Sequence, residues 1–406
     1  MAFSLSSSLF GFGLLVVALT AAKLIKEPQL PLPSLSTLAG IPEGKLSQGG
    51  SPSEGPYAPN TALRAATRVL EGEVHGSESV AVMEGGDLVL LDKYGYMRRA
   101  ATASPGGAFR LKGSATYLGA GRPLGAHVTA SGEMIICDSV KGLISVDLAT
   151  SRISILTNEV SPDSPLAPAT RIAYANDLDI AADGAVFFSD SSDITPSQNR
   201  QGYWDTMRAF ILTGLQGGAT GRLLKYDPST GRTHCLAEGI WYANGVALAA
   251  DESFVLIVET WGLRVLRLWL KGPKAGSVDT FVDRLPGFPD GVTRAADGGF
   301  WIAIAAPTLP LIDKALPHKW ARFALAWLSE IYTPKPKVLG MVVKVDKDGV
   351  PLLSLQDPGG EVIPMVSAVT EHDGKLYLGN LAHSFVGVLD LADVSPAMSS
   401  GTPGAP

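Results

Sequence analysis

Four oxygen-bearing side chains recur at one register along this 406-residue chain. Asn176 in YANDLDIAADGAVFFSD, Asn244 in YANGVALAADESFVLIVE and Asp290 in GFPDGVTRAADGGFWIAI each stand seven residues before a turn Asp (Asp183, Asp251 and Asp297). The same count back from turns at Gly85, Ser131 and Asp373 reaches Glu78, Leu124 and Val366. The six positions thus hold two carboxylates, two amides and no Lys, Arg or His. Asn and Asp are also ordinary turn and strand-end residues, which accounts for one or two of these positions but not for four in register. In one narrow channel the two carboxylates would repel and the amide oxygens would go unpaired without a cation. An oxygen-only set carrying two negative charges suits a hard divalent ion, and Ca²⁺ is the expected cofactor. Asp290, placed among acids and a metal, is the expected catalytic base or orienter of the attacking water. His383 in NLAHSFVG is a second catalytic candidate, and Glu259 in VET a candidate for positioning substrate.

These residues need elements that repeat. Each phrase reads as a polar residue, an apolar run, an Asp-containing turn and a second β-rich run, the pattern of a hairpin. Six such phrases occur, beginning at Gly85, Ser131, Asp183, Asp251, Asp297 and Asp373. Turns spaced about 45 to 75 residues apart match propeller repeats with loops added. The expected fold is all-β, a six-bladed β-propeller whose inner strands line a central channel. One insertion, residues 317–333, departs from this pattern. In it Trp320, Phe323, Trp327 and Ile331 fall at helical spacing, predicting a helix that caps one face, or a lid or membrane-touching element.

Composition narrows the class. A net charge of −6 with no basic stripe excludes a nucleic-acid partner. Cys137 and Cys235 are too few for a disulfide framework and are expected as buried thiols. Leu5 to Ala22 carries no charge and is followed by Lys23 and Lys26. Residues 1–26 are therefore expected to be a signal peptide or an uncleaved signal-anchor, joining the chain to a membrane. That addresses the protein to the secretory pathway, in the endoplasmic reticulum or another endomembrane. Residues 27–63 are Pro- and Gly-rich and read as a linker, 64–393 as the propeller, and 394–406 as a flexible tail. The chain is expected to be a monomer acting on a small molecule.

Several stretches resemble the strictosidine synthase-like family, in the branch of the adipocyte plasma membrane-associated proteins and their plant relatives. They are GRLLKYDPSTG (Gly221 to Gly231), YANGVAL, VETWGLRVLRLWLKGPKAG (Val258 to Gly276), LPGFPDGVTR (Leu285 to Arg294) and EHDGKLYLGN (Glu371 to Asn380). The similarity covers roughly Leu63 to Leu391. It implies a six-bladed propeller, often with an N-terminal anchor, and connects the chain to calcium-dependent hydrolases of the paraoxonase and gluconolactonase type. Their Glu, Asn and Asp metal ligands match Glu78, Asn176, Asn244 and Asp290. Two departures matter. The condensing synthase uses a glutamate in the strand before the EHDG turn, where this chain has Ser367, which cannot serve as that acid/base at neutral pH. Paraoxonase-type enzymes use a histidine pair, and the first is expected at Leu124, with His127 three residues on as a weak substitute for positioning substrate. The resulting expectation is a calcium-dependent arylesterase or lactonase acting on small apolar esters. The alternatives are a calcium-stabilised scaffold without activity and an amine–aldehyde condensing enzyme.

Overall fold

The computed structural model describes residues 38–41, 54–104, 106–308, 310–331 and 338–394. The hydrophobic run Leu5 to Ala22, most of the linker and the tail beyond Val394 lie outside them. No helix among the described residues is long and apolar enough to cross a membrane.

Twenty-four of the strands form six antiparallel four-stranded sheets. The first strand, β1 (Thr67–Val69), belongs to the last blade. Blade I contains β2 (Val80–Val82), β3 (Leu88–Leu91), β4 (Tyr96–Thr102) and β5 (Phe109–Tyr117). Blade II contains β6 (Pro123–Val128), β7 (Glu133–Asp138), β8 (Gly142–Asp147) and β9 (Ile153–Thr157). Blade III contains β10 (Ala175–Ile180), β11 (Val186–Asp190), β14 (Gly221–Asp227) and β15 (Arg232–Ile240). Between β11 and β14 lie a short ribbon, β12 (Ser197–Gln198) with β13 (Trp204–Asp205), and a helix, α1 (Thr206–Gln216). Blade IV contains β16 (Ala243–Leu248), β17 (Phe254–Glu259), β18 (Arg264–Trp269) and β19 (Val278–Val282). Blade V contains β20 (Gly287–Arg294), β21 (Phe300–Pro307), β22 (Gly340–Val345) and β23 (Pro351–Asp357), with α2 (Pro310–Ala315) and α3 (Lys319–Ile331) inserted before β22. Blade VI contains β24 (Val366–His372), β25 (Lys375–Asn380) and β26 (Val386–Asp390), and β1 completes it by pairing Thr67 with Val388 and Val69 with Val386. This last pairing joins the two ends of the described chain in one sheet and closes the ring.

Strand alternation makes the blades stack. On β17, Phe254, Leu256 and Val258 meet Phe300, Ile302 and Ile304 of blade V, while Val255 and Ile257 meet Phe187 and Leu223 of blade III. On β3, Val89 and Leu91 join blade II's core, and Leu88 and Leu90 join blade VI's. A strand buried on both faces reads as a continuous apolar run, and LVLL, MIIC and FVLIV are such runs. Both cysteines lie in the core between blades II and III as free, buried thiols, as their scarcity predicts.

The inner strands β2, β6, β10, β16, β20 and β24 neighbour one another around the axis. Five of them break register at the same place, between residues 123 and 126, 175 and 178, 243 and 246, 289 and 292, and 366 and 369. Such a bulge re-aims a side chain out of the ladder. Its second residue abuts the next inner strand: a Cβ at Gly245 would stand 2.4 Å from Val292 N, and one at Gly125 2.3 Å from Asp177 Oδ1. Glycine is needed there for close approach, not for a turn.

Two helical features differ from the sequence expectation. The helix expected within 317–333 forms as α3, and a second, unforeseen short helix, α2, precedes it. The helix α1, in the connection between β11 and β14, was not foreseen; it is capped by Asp205, which accepts from Arg208 N at 3.0 Å, and ends at Gly217 with φ +81.

Candidate metal centre

The five bulges, with the segment just before β2 in blade I, place one residue from each blade at the same level of the channel. Pairing Val80 with Leu90 and Val82 with Leu88 puts Glu78 just outside β2, level with Asn176, Asn244 and Asp290. In blade VI the count back from the turn is one residue off. The β24–β25 turn is tighter, with His372 paired to Lys375, where β10–β11 pairs Ile180 to Val186. Val366 is consequently a paired ladder residue buried between blades V and VI, and Ser367 takes the sixth position. The ring therefore reads Glu78, Leu124, Asn176, Asn244, Asp290 and Ser367.

The hydrogen bonds orient the amides. Asn244 Nδ2 donates to Asp290 Oδ1 at 2.5 Å and to Thr260 Oγ1 at 3.3 Å, and Asn176 Nδ2 donates to Ser191 Oγ at 2.9 Å. With their NH₂ groups held this way, Asn176 Oδ1 and Asn244 Oδ1 are buried without a partner, and so is Glu78 Oε2. An unsatisfied buried acceptor costs about 1–3 kcal/mol, so three around one axis call for a shared donor or a cation. Electrostatics agree. Burial, then the charge of Asp290, push the Glu78 carboxyl well above the ordinary carboxylate range, with Arg122 opposing. Burial raises Asp290 to about 7, against the hydrogen bond from Asn244 and with Asp177 adding to the rise. Two raised carboxyls and two freed amide oxygens fit a hard divalent cation. Among the described residues no three His, Cys, Asp or Glu side chains cluster as a metal site; half of this donor set is Asn.

The sequence-predicted residues separate by role. Glu78, Asn176, Asn244 and Asp290 share the ring level. Ser367 joins them, its Oγ donating to Glu78 O at 3.2 Å. Leu124 fills its position with a side chain packed under the roof of the channel. Glu259 is engaged elsewhere: Oε1 accepts from Trp241 N at 2.8 Å and Oε2 pairs with Arg264 Nε at 2.5 Å. It belongs to a second repeat, the acids closing the second strand of blades I to IV. Asp92 pairs with Arg98, Asp138 with Lys141 and Asp190 with Arg222 in the same way. In blade VI the equivalent Asn380 accepts from Ala382 N and His383 N. His383 sits half-buried in that loop, its imidazole pKa lowered by burial and then by Arg68 and Lys93. His127 lies three residues along β6 from the ring, Nδ1 at 4.0 Å from Asp179 Oδ1. It lines a cavity of about 150 Å³ with Asp177, Thr293 and Thr370, on the turn side of the ring.

Sequence reasoning missed three groups at the site. Arg122 is only 2% exposed; its Nη2 donates to Gly76 O at 3.1 Å, while Nε and Nη1 are buried without partners. Its charge acts on Glu78 and Tyr174. Tyr174 and Tyr242 join by a 2.8 Å hydrogen bond between their hydroxyls and, with Leu124, Trp241, Trp261, Phe210 and Phe288, form an apolar roof. Asp177 is half-buried at the bulge, where desolvation raises it to about 6, and accepts from Val246 N at 3.1 Å. The signal for Arg122 was a charge in an otherwise uncharged run, LGAGRPLGA. For Asp177 it was the only acid in a column otherwise made of Ser79, Gly125, Gly245, Gly291 and Ala368.

Comparison with known proteins now bears on this architecture. The family model described as "Strictosidine synthase" matches residues 176–273, and "Strictosidine synthase-like, N-terminal" matches 55–93. The adipocyte plasma membrane-associated protein of Salmo salar is 32% identical over 365 residues, covering 84% of this chain and 81% of that one. The Rattus norvegicus protein of the same name is 31% identical, covering 84% and 90%. Protein strictosidine synthase-like 10 of Arabidopsis thaliana is 34% identical, covering 67% and 70%. Among solved structures, a gluconolactonase from Xanthomonas campestris superposes with a TM-score of 0.53 at 17% identity, covering 82% of this chain and 93% of that one. That likeness supports the propeller fold, and the sequence relatives carry the kinship. The chain belongs to the strictosidine synthase-like family, in the branch of the adipocyte plasma membrane-associated proteins.

Proposed function

We propose that the protein is a calcium-dependent ester hydrolase of the arylesterase or lactonase type, acting on small apolar esters at an endomembrane. The observation that carries this reading is the trio of partnerless buried oxygens, Glu78 Oε2, Asn176 Oδ1 and Asn244 Oδ1, around a channel that also holds Asp290. Glu78, Asn176, Asn244 and Asp290 would hold the ion. When bound, a divalent cation supplies Lewis-acid polarisation of an ester carbonyl. The remaining chemistry belongs to side chains. Asn244 Nδ2 fixes Asp290 through Oδ1, leaving Oδ2 to take a proton from the attacking water. Arg122 has two N–H-bearing nitrogens free to donate to an oxygen of the substrate. Leu124, Tyr174 and Phe288 offer an apolar wall suited to an alkyl or aryl group. The relatives' names associate them with the plasma membrane, in line with an anchoring role for Leu5 to Ala22.

The condensation alternative loses support from Ser367. Its hydroxyl stands at a ring position but donates to a backbone carbonyl, and a serine does not supply acid/base chemistry at neutral pH.

Turnover of a chromogenic aryl ester and of a lactone, with calcium and with chelator, tests the proposal. Hydrolysis is expected in calcium and lost in chelator. Asp290→Asn should stay about two to four orders of magnitude slower even in saturating calcium, because loss of a general base is not recovered by mass action. A variant at the parent rate in excess calcium would reduce Asp290 to a ligand. A parent chain that binds calcium yet hydrolyses neither ester would favour the scaffold reading.

A further inference from the structure

The helix α3 faces the wrong way for a simple cap. Its buried side carries Arg322 and Ala326, with Leu325 and Ala326 against Leu212 and Leu215 of α1. Its outward side carries the larger apolar groups. Trp320, Ala324 and Leu328 recur at four-residue intervals along the exposed line, and Trp320 is 69% and Leu328 41% exposed. Phe323 and Trp327 flank them, half-buried, with ring centroids 6.0 Å apart. Of the stripe expected to cover the propeller, Trp320 points to solvent, while Phe323 and Trp327 are half-buried at its edge. A 69%-exposed tryptophan beside a leucine on one helix face is a patch with a purpose elsewhere.

We infer that this arc docks the protein onto a lipid bilayer, with the channel mouth turned toward the membrane. Two observations name the occupant. The first is where the hydrophobic run leads. Leu38 follows Ala22 by sixteen residues, a tether reaching at most ~55 Å. The described segment at its end is fastened to this same helix pair: Ala39 N donates to Gln216 O at 3.1 Å, and Arg322 Nη2 donates to Ala39 O at 2.7 Å. Arg322 Nη1 also donates to Leu215 O and Gln216 O at the end of α1. A chain anchored through Leu5 to Ala22 thus enters the fold at the α1–α3 pair, fastened to the buried side of the helix that carries Trp320 and Leu328 on its other face. The second is composition. Trp and Phe with a polar edge suit the headgroup level, and Lys319, next to Trp320 in sequence, and Lys314 on α2 are exposed and can meet anionic lipid. Because α3 lies on α1, and α1 lies on the Trp241–Trp261 roof, docking sets the mouth of the channel against the bilayer. This placement holds whether or not the ring hydrolyses esters.

Labelling tests it directly. Cys137 and Cys235 are fully buried, so one introduced cysteine takes a polarity-sensitive fluorophore selectively. The full chain carrying Leu328→Cys, reconstituted in phosphatidylcholine–phosphatidylserine vesicles, should show a blue-shifted label. Nitroxide lipids should quench it several-fold more than a label at Ile155→Cys on β9, a rim position 60% exposed. Adding Trp320→Ser should cut that quenching by at least half, with circular dichroism unchanged. A label at 328 as water-exposed as one at 155 overturns the inference. So does a blue shift that appears only when the protein-to-lipid ratio is raised, which would assign the arc to a second copy of the chain.

Discussion

Replacing Asp290 by Asn should stabilise the metal-free protein and remove most of what calcium adds. Asp290 is 5% exposed and its carboxyl is raised from 3.8 to about 7, first by burial. An acid whose folded pKa exceeds its unfolded value binds its proton more tightly when folded. Stability is then full below the unfolded value and is lost as pH rises through the folded one. At pH 8 that loss is complete. The gap of roughly three pH units corresponds to about 4 kcal/mol, and with a propeller of this size melting at ~0.7 kcal/mol per degree it is worth about 6 °C. Asn keeps the oxygen that accepts from Asn244 Nδ2 and removes the charge that faces Glu78. In EDTA at pH 8 the variant should melt about 6 °C above the parent, and at pH 4 the two should nearly coincide. With calcium the order should reverse, since one of the two carboxylates balancing the ion is gone. Scanning calorimetry at both pH values, in calcium and in EDTA, gives all four comparisons. A variant that melts no higher than the parent in EDTA at pH 8 would refute the buried repulsion. A full calcium increment in the variant would refute Asp290 as a ligand.

Other outcomes follow from the same geometry. Ser367→Ala removes one hydrogen bond to Glu78 O, so it should cost about 1 kcal/mol of stability and leave ester hydrolysis within twofold, read by melting and initial rates. Glu259→Gln breaks the pair with buried-side Arg264 while keeping an acceptor for Trp241 N. It should cost about 3 kcal/mol in urea unfolding, and the surviving folded enzyme should keep the parent kcat; a selective loss of kcat would return Glu259 to the site. Calcium affinity measured by titration calorimetry should fall as pH drops through about 7, where Asp290 takes its proton in the metal-free chain; an affinity flat from pH 8 to 6 would contradict the shared carboxylate site.

What could be read from the chain alone was whatever repeats locally. Apolar runs such as FVLIV and Asp-containing turns report strands and hairpins because alternation and turn chemistry act within a few residues. Their sixfold recurrence leads to the propeller, and Asn176, Asn244, Asp290 and Glu78 could be aligned because the ring position lies at a constant offset from the turn in those blades. Where the offset changes, counting fails. The tight β24–β25 turn moves the ring position from Val366 to Ser367, and only the pairing shows it. Glu259 looked like a channel residue until the folded chain supplied Trp241 N and Arg264 as partners and aligned it with Asp92, Asp138 and Asp190. Arg122 and Asp177 became visible only when burial stripped them of solvent, a property of blades distant in sequence. Helical spacing in Trp320, Phe323 and Trp327 implied an apolar face but not its direction, since a period carries no information about which side a neighbour will cover. Tertiary structure decided that, by placing Arg322 and Ala326 against α1, half-burying Phe323 and Trp327 and leaving Trp320 and Leu328 outside.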